Sequence, residues 1–580
     1  MSRFTPVEPT KFSMQRSLHL AFCVLLAAGI LPVCNATATQ TTDAAIARAM
    51  GPPFYSGAIL PTPKEAAHLE GQTVLFDGPA HSKHAAVSFP EDPALRELLG
   101  RLWEQRMNAY RAQFEDSPWM ASSQSVPVTF RLASEAADAL ERIDETLAVR
   151  LAELPPQGYV LDINGEGAVG IGKDRAGVVN ALASFLQLVH VVDRRLVVDH
   201  ARIADWPTFT IRYTSEYRML GPEYFDWMML YKINGFAAAY RVFDWRGLTG
   251  GQREQLRAIG GYIDRYDTLH FMAQLHLSGR AREGAIMDSR NPGHREQLFE
   301  TIRELLELGN ARHLWICYDD TRPELQPMEI EAGFTHPAEA HAALLEDIHA
   351  FATRLRPETV VGWVPVPYQG RHHRRWRDDA PQRDYDTAYL EVIRQWPVTN
   401  VPIVWTGPVT ESRRITLEDI EDYYSRIAPE KPLSYWDNTW HYHQPLRNFH
   451  ARYPEGFVEH CVDAVSYINV NCALPIGQFF TVTANDYYWN PDAFDPKGSR
   501  KHAVAQFMGP EAVEPAERFY ELRGDAYWVH FAASVDLDAF EHVLEELEAA
   551  SWDPAIPQGA WHHFNLAAHA QDKPERVRQD

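Results

Sequence analysis

The residue pair with the clearest chemical potential is Asp319-Asp320. It follows directly on an apolar run, His313-Leu314-Trp315-Ile316-Cys317-Tyr318, which has the character of a buried β-strand. Two adjacent carboxylates repel, so one can stay ionised while its neighbour holds a proton. That division of labour suits acid-assisted cleavage of a glycosidic bond. Paired aspartates also stand in solvated loops, and Asp378-Asp379, set in a basic stretch, is read as such a pair. Asp319-Asp320 differs in sitting at the C-terminal end of a strand, where barrel enzymes build their sites.

Other apolar runs end in groups that would serve the same site. One closes with Val364-Pro365-Val366-Pro367-Tyr368 and another with Trp405-Thr406-Gly407-Pro408. A third closes with Tyr435-Trp436-Asp437-Asn438, followed by Thr439-Trp440, and a fourth with Ile468-Asn469-Val470-Asn471. Aromatic rings stack on the apolar faces of sugars, while amides and carboxylates pair with hydroxyls. Each aromatic taken alone fits core packing equally well. Their recurrence at one end of successive strands is what marks a sugar site. His372-His373 and His441-x-His443 raise a metal-dependent hydrolase as an alternative. The first pair sits among Arg371, Arg374 and Arg375, whose charge repels a cation, so these are read as solvated loop histidines. No metal and no cofactor are expected.

These groups share one face only if their strands run parallel. Eight candidate strands are spaced along the chain: Phe209–Tyr217, Gly235–Phe243, Leu269–His276, His313–Tyr318, Val360–Val366, Pro402–Trp405, Leu433–Trp436 and Ala464–Val470. Helical spacing lies between most of them, as in Gln252–Tyr266, Arg295–Leu308, Pro337–Leu355 and Leu417–Ile427. Strands apolar on both faces and separated by helices imply a parallel sheet. Eight such units predict an α/β fold, a (β/α)₈ TIM barrel, over residues 205–495. A doubly wound sheet would usually carry a glycine-rich turn after its first strand, where this chain reads Tyr217-Arg218-Met219-Leu220.

A small α+β domain is expected over 53–204, with strands at Gly158–Ile163 and Gly167–Gly172 and a helix within Asp174–Val191. Residues 496–580 read as a helical C-terminal region, Glu511–Phe531 and Leu537–Ala550, with a disordered tail. Residues 1–38 read as a signal peptide and 39–52 as a linker. Lys11 and Arg16 precede the apolar run Leu18–Val33, and Ala36-Thr37-Ala38 fits a cleavage site. A secreted or periplasmic protein with no stable membrane span after cleavage is expected. Cys317, Cys461 and Cys472 would remain, too few and too widely spaced for a disulfide framework or a zinc site. The net charge of −23 argues against nucleic acid as a partner.

With these motifs in view, the stretch from about Asp205 to Asn490 resembles the β-N-acetylglucosaminidases of glycoside hydrolase family 84, which include O-GlcNAc hydrolases and hyaluronidase-like enzymes. Tyr318-Asp319-Asp320, Pro365-Val366-Pro367-Tyr368, Trp405-Thr406-Gly407-Pro408 and Trp436-Asp437-Asn438 carry the resemblance, in the family's order. Ile59-Leu60-Pro61-Thr62-Pro63-Lys64 and Gly158-Tyr159-Val160-Leu161 look like the small domain that precedes many hexosaminidase barrels. The resemblance implies a retaining, substrate-assisted mechanism through an oxazoline intermediate. Asp319 would orient the acetamido N–H, Asp320 would be general acid and then base, and Tyr368 would position the acetamido group. Trp405 and Trp436 would help form the pocket, Asn438 would hydrogen-bond the substrate, and Asn469 or Asn471 would bind sugar hydroxyls. The partner would be a glycan or glycoconjugate containing N-acetylglucosamine.

The chain departs from the family's pattern at several points. Thr214-Ser215-Glu216-Tyr217-Arg218 lacks the first-strand glycines, Arg241 stands nearest the usual lysine, and His443 falls near the usual aspartate. Pro367 replaces the glutamate before the fifth-strand tyrosine. These changes fall on sugar recognition, whereas the aspartate pair is intact. Two readings follow: an active β-N-acetylhexosaminidase, or a non-catalytic acetamido-sugar-binding protein on the same fold.

Overall fold

The computed structural model describes residues 59–76, 83–111, 124–193, 195–216, 219–239, 241–278, 286–370, 380–410, 412, 415–427, 430–437, 461–467, 475–523 and 537–551. The expected leader, linker and charged tail lie outside them. So do His372, His373, His441, Asn438, His443, Asn469 and Asn471.

The described residues form two sheets. The first holds β1 (Glu65–Phe76), β2 (Lys83–Ser88), β3 (Gln124–Leu132), β4 (Tyr159–Asn164), β5 (Gly167–Gly172), β6 (Val189–Val192) and β7 (Arg195–Asp205). Their order is β1-β2-β3-β5-β4-β7-β6, with β1 also pairing β7. Helices α1 (Pro93–Arg111), α2 (Ala137–Leu140), α3 (Glu145–Glu153) and α4 (Arg175–Leu188) accompany this sheet. Asp174 caps α4 by accepting from the Gly177 amide. Every residue of α4 from Gly177 to Leu188 is buried, because the helix packs on β4 and β5 and also against a barrel helix, α5 (Pro222–Leu230). Its buried polar residues, Asn180, Ser184 and Gln187, all have hydrogen-bond partners.

The second sheet is a closed barrel. Its strands are β8 (Arg212–Glu216), β9 (Gly235–Ala238), β10 (His270–His276), β11 (Ala311–Cys317), β12 (Val360–Val364), β13 (Ile403–Trp405), β14 (Leu433–Asp437) and β15 (Cys461–Tyr467). Every neighbouring pair is parallel, and β15 returns to β8. This is the (β/α)₈ barrel expected from the apolar runs. Around it stand α5, α6 (Gly250–Tyr266), α7 (Pro292–Gly309), α8 (Pro327–Glu331), α9 (Pro337–Leu355), α10 (Ala380–Gln395), α11 (Leu417–Ile427) and α12 (Pro475–Trp489). The C-terminal region continues as α13 (Pro496–Met508), α14 (Val513–Arg523) and α15 (Leu537–Ala550).

Side chains alternate along each barrel strand. Tyr213, Ala237, Met272, Trp315, Cys317, Val364, Val404 and Trp436 pack together inside the barrel. Phe236, Phe271, Leu314, Trp363, Ile403 and Tyr435 belong to the large core shared with the helices. Trp315 needs space inside a narrow barrel, and its partner in register on β12 is Gly362. A Cβ there would come 2.7 Å from the Trp315 ring. Glycine inside this strand is thus explained by close approach rather than by a turn.

The two sheets are joined through Asp205, the last residue of β7. Its Oδ2 accepts from Tyr159 Oη at 2.8 Å and from Lys232 Nζ at 3.0 Å. Its Oδ1 accepts from the Lys64 amide at 3.0 Å and from Trp489 Nε1 at 2.8 Å. The Lys232 and Asp205 side chains are fully buried. Burial holds the Lys232 ammonium below the usual lysine range, and Asp205 opposes that shift. The amides of Thr208 and Phe209 donate to the carbonyls of Trp489 and Tyr488, at 2.9 and 3.0 Å. The strand entering the barrel is therefore fastened to the end of its last helix.

Candidate active site

β11 carries the aspartate pair just past its end, with Asp319 buried and Asp320 half-buried. Asp320 has φ +57°, a left-handed conformation unusual for a non-glycine residue. The two neighbouring carboxylates are unequally enclosed. The chain on either side is tied to the adjacent strands. The Tyr318 amide donates to the Val364 carbonyl at 3.0 Å, and the Leu277 amide donates to the Cys317 carbonyl at 3.1 Å.

Tyr368 arrives from the turn after β12. Its carbonyl accepts from the Thr406 amide at 3.1 Å, which anchors it to the chain leaving β13. Its hydroxyl donates to Asp320 Oδ1 at 2.7 Å. Tyr368 is buried, and burial, followed by the charges of Asp320 and Asp319, pushes its phenol well above the usual tyrosine range. It therefore stays protonated and remains a donor. The Tyr368 ring lies 6.4 Å from Trp436, which in turn lies 5.4 Å from Trp315. Three aromatic rings thus line the barrel interior beside the carboxylates. Below Asp319, the Cys317 thiol is pushed well up by burial and then by Asp319 itself.

Residues 283–521, which span β11 to β15 and include Asp319, Asp320, Tyr368 and Trp436, match the family described as beta-N-acetylglucosaminidase. Residues 57–206 match glycosyl hydrolase family 20, domain 2. The chain is a glycoside hydrolase of the β-N-acetylglucosaminidase kind. The hydrolase is similar in fold to CpGH84B, at 15% identity over 89% of this chain and 90% of that one, with a TM-score of 0.57. CpGH84D gives 15% identity, 89% and 88% coverage and a TM-score of 0.56. The chitobiase of Flavobacterium johnsoniae gives 12% identity, 81% and 76% coverage and a TM-score of 0.55. No curated protein sequence matches the hydrolase.

Of the residues singled out in the sequence, the structure brings Asp319, Asp320, Tyr368 and Trp436 together. Trp405 is different. Its ring stacks on Tyr423 of α11 at 5.5 Å, in the layer between sheet and helices. Val404, its neighbour in the strand, takes the inward position. The expectation that Trp405 helps form the pocket is corrected by this alternation. Arg241 stands exposed on the loop after β9. Asp437, the middle residue of its motif, also faces the helices and accepts from Tyr488 Oη at 3.1 Å. Among the described residues, no group of three or more His, Cys, Asp or Glu side chains could hold a metal ion, and no helix is long and apolar enough to cross a membrane.

One residue at this site was not singled out from the sequence. His276, the last residue of β10, is fully buried, and its Nε2 lies 2.9 Å from the Asp319 carbonyl oxygen. Its position at the end of a barrel strand was the available signal.

Proposed function

We propose that the hydrolase cleaves β-linked N-acetylglucosamine, or a related N-acetylhexosamine, with retention of configuration and with the substrate's own acetamido group as nucleophile. The observation that carries this reading is the Tyr368–Asp320 hydrogen bond of 2.7 Å beside the buried Asp319 carboxylate. It supplies two carboxylates in different surroundings, one reaching the half-exposed mouth and one enclosed.

In the first step the acetamido oxygen attacks the anomeric carbon, and Asp319 accepts the acetamido N–H and polarises it. The bond from the anomeric carbon to the leaving oxygen breaks, and Asp320 gives that oxygen its proton. An oxazoline forms. In the second step Asp320 takes a proton from water, the water oxygen bonds to the anomeric carbon, and the oxazoline opens back to the acetamide. Two inversions give net retention. Substrate assistance is a recognised departure from the scheme in which an enzyme carboxylate attacks. Trp436 walls the sugar, and Arg241, Asn438, His443, Asn469 and Asn471 serve its hydroxyls. The chain acts outside the cytoplasm, released by cleavage after Ala38; N-terminal sequencing of protein recovered from cell fractions tests this.

The deciding experiment is release of p-nitrophenol from p-nitrophenyl β-N-acetylglucosaminide, with the product anomer read by NMR. The reading expects turnover by the parent, a first-formed β-anomer, and a rate loss in Asp320→Asn of about 10²- to 10⁴-fold on methyl β-N-acetylglucosaminide, whose leaving group needs the acid, the usual range for an acid/base residue. A first-formed α-anomer, or an Asp320→Asn variant as fast as the parent on the methyl glycoside, overturns it.

A further inference from the structure

The end of the third barrel strand carries a residue that the mechanism above does not use. His276 is the last residue of β10, is in register with Cys317 on β11, and is fully buried. Its Nε2 lies 2.9 Å from the Asp319 carbonyl oxygen and 3.6 Å from Asp319 Oδ1. A carbonyl oxygen can only accept, so Nε2 carries the hydrogen and donates it. Two residues further on, Ser278 Oγ lies 2.7 Å from Thr321 Oγ1, and Thr321 Oγ1 donates to the Tyr318 carbonyl at 3.0 Å. The end of β10 therefore grips the 318–321 turn at both Asp319 and Thr321.

The carboxylates do not share this anchor equally. Asp320 has its own, the Tyr368 hydroxyl. The imidazole of His276 meets Asp319 twice, at its main-chain oxygen and near its carboxylate. We propose that His276 is a positioning residue for Asp319: by donating Nε2–H to the Asp319 carbonyl, it fixes the direction in which that carboxylate meets the substrate's acetamido N–H. The inference rests on the reading of the site given under Proposed function. It has a distinctive consequence. A residue that acts only through Asp319 has nothing left to do once the Asp319 carboxylate is removed.

The test is a double-mutant cycle. The kcat/KM values of the parent, His276→Ala, His276→Gln, Asp319→Asn and the His276→Ala/Asp319→Asn double variant are measured on two substrates. One is p-nitrophenyl β-N-acetylglucosaminide, whose leaving group needs little acid help, and the other is methyl β-N-acetylglucosaminide, whose leaving group needs much. His276→Ala is expected to lose about 10- to 100-fold on both substrates alike, as for removal of a buried hydrogen bond. His276→Gln keeps an N–H donor and is expected to recover most of that loss. In the Asp319→Asn background, His276→Ala is expected to add less than about 3-fold.

Three results overturn the inference: His276→Ala within about 2-fold of the parent, a loss confined to the methyl glycoside, or full multiplication of the two single losses. The second would place His276 behind Asp320, and the third would indicate general structural damage. Should His276→Ala fail to fold by circular dichroism, His276→Asn takes its place in the cycle. An inactive parent overturns the reading of the site and this inference with it. An active parent with a silent His276 overturns the inference alone.

Discussion

The Tyr368 hydroxyl donates to Asp320 Oδ1 across 2.7 Å, from a ring that is itself buried against the barrel's inner aromatic cluster. A hydrogen bond to a charged group is worth about 1.5–3 kcal/mol. Tyr368→Phe keeps the ring and removes only the donor. It is expected to lower kcat/KM on methyl β-N-acetylglucosaminide by about 10- to 150-fold. Unfolding should shift little, and steady-state kinetics beside a thermal melt checks both.

Two tryptophans on neighbouring strands should behave in opposite ways. Trp436 faces the barrel interior near Tyr368, whereas Trp405 stacks on Tyr423 outside it. Trp436→Ala is expected to raise KM for the same substrate by about 10-fold, the loss of an aromatic wall worth about 0.5–1.5 kcal/mol plus its buried area. Trp405→Leu is expected to leave KM within about 2-fold and to lower stability by about 1–3 kcal/mol in urea. A KM effect from Trp405→Leu would return that residue to the pocket.

Asp205 should be the most sensitive single position at the junction of the two sheets. It pairs with the fully buried Lys232 and accepts from Tyr159, Trp489 and the Lys64 amide. Removing one partner of a buried ion pair costs about 3–5 kcal/mol, because the other charge stays buried. Asp205→Ala is expected to show that loss in equilibrium denaturation. Lys232→Met in the Asp205→Ala background is expected to recover part of it, since the stranded charge is gone.

His341 makes stability depend on pH. It is buried beneath the turn that carries the aspartates, its ring 3.6 Å from Tyr318 and its Nδ1 2.6 Å from Tyr389 Oη. Burial, and then His336, holds its imidazole well below the usual value of 6.5. Below that pH the unfolded chain binds a proton that the folded chain refuses, so stability falls as pH falls. The slope from one such group is at most about 1.4 kcal/mol per pH unit. Denaturation midpoints between pH 7 and pH 5 should drop more steeply for the parent than for His341→Gln; equal slopes would remove His341 from the account.

The barrel was legible because burial on both faces makes each strand an unbroken apolar run, even for β13, with only Ile403–Trp405. Brevity and two-sided burial are also why the facing of Trp405 was not legible: three apolar residues in a row fix no phase. Helix α5 escaped for a related reason, since Tyr224 to Leu230 are all buried and show no polar face. In the first sheet, β1 has exposed residues at Glu65–His68 and so no alternation to read. At the site, Asp319, Asp320, Tyr368 and Trp436 could be picked out because each stands at a strand's end. His276 stands at one too, but its partner is a main-chain oxygen 43 residues away, and a backbone acceptor leaves no mark on side-chain chemistry.

The fastening of Thr208 and Phe209 to Trp489 and Tyr488 has a consequence for the order of events at the ribosome. Asp205 meets its Trp489 donor across a sequence separation of 284 residues. At about 5–20 residues per second, that donor emerges roughly a quarter of a minute to a minute after Asp205 has left the tunnel. During that interval β1 and β7 can pair with each other, while the Asp205 carboxylate at the end of β7 still lacks its Trp489 donor.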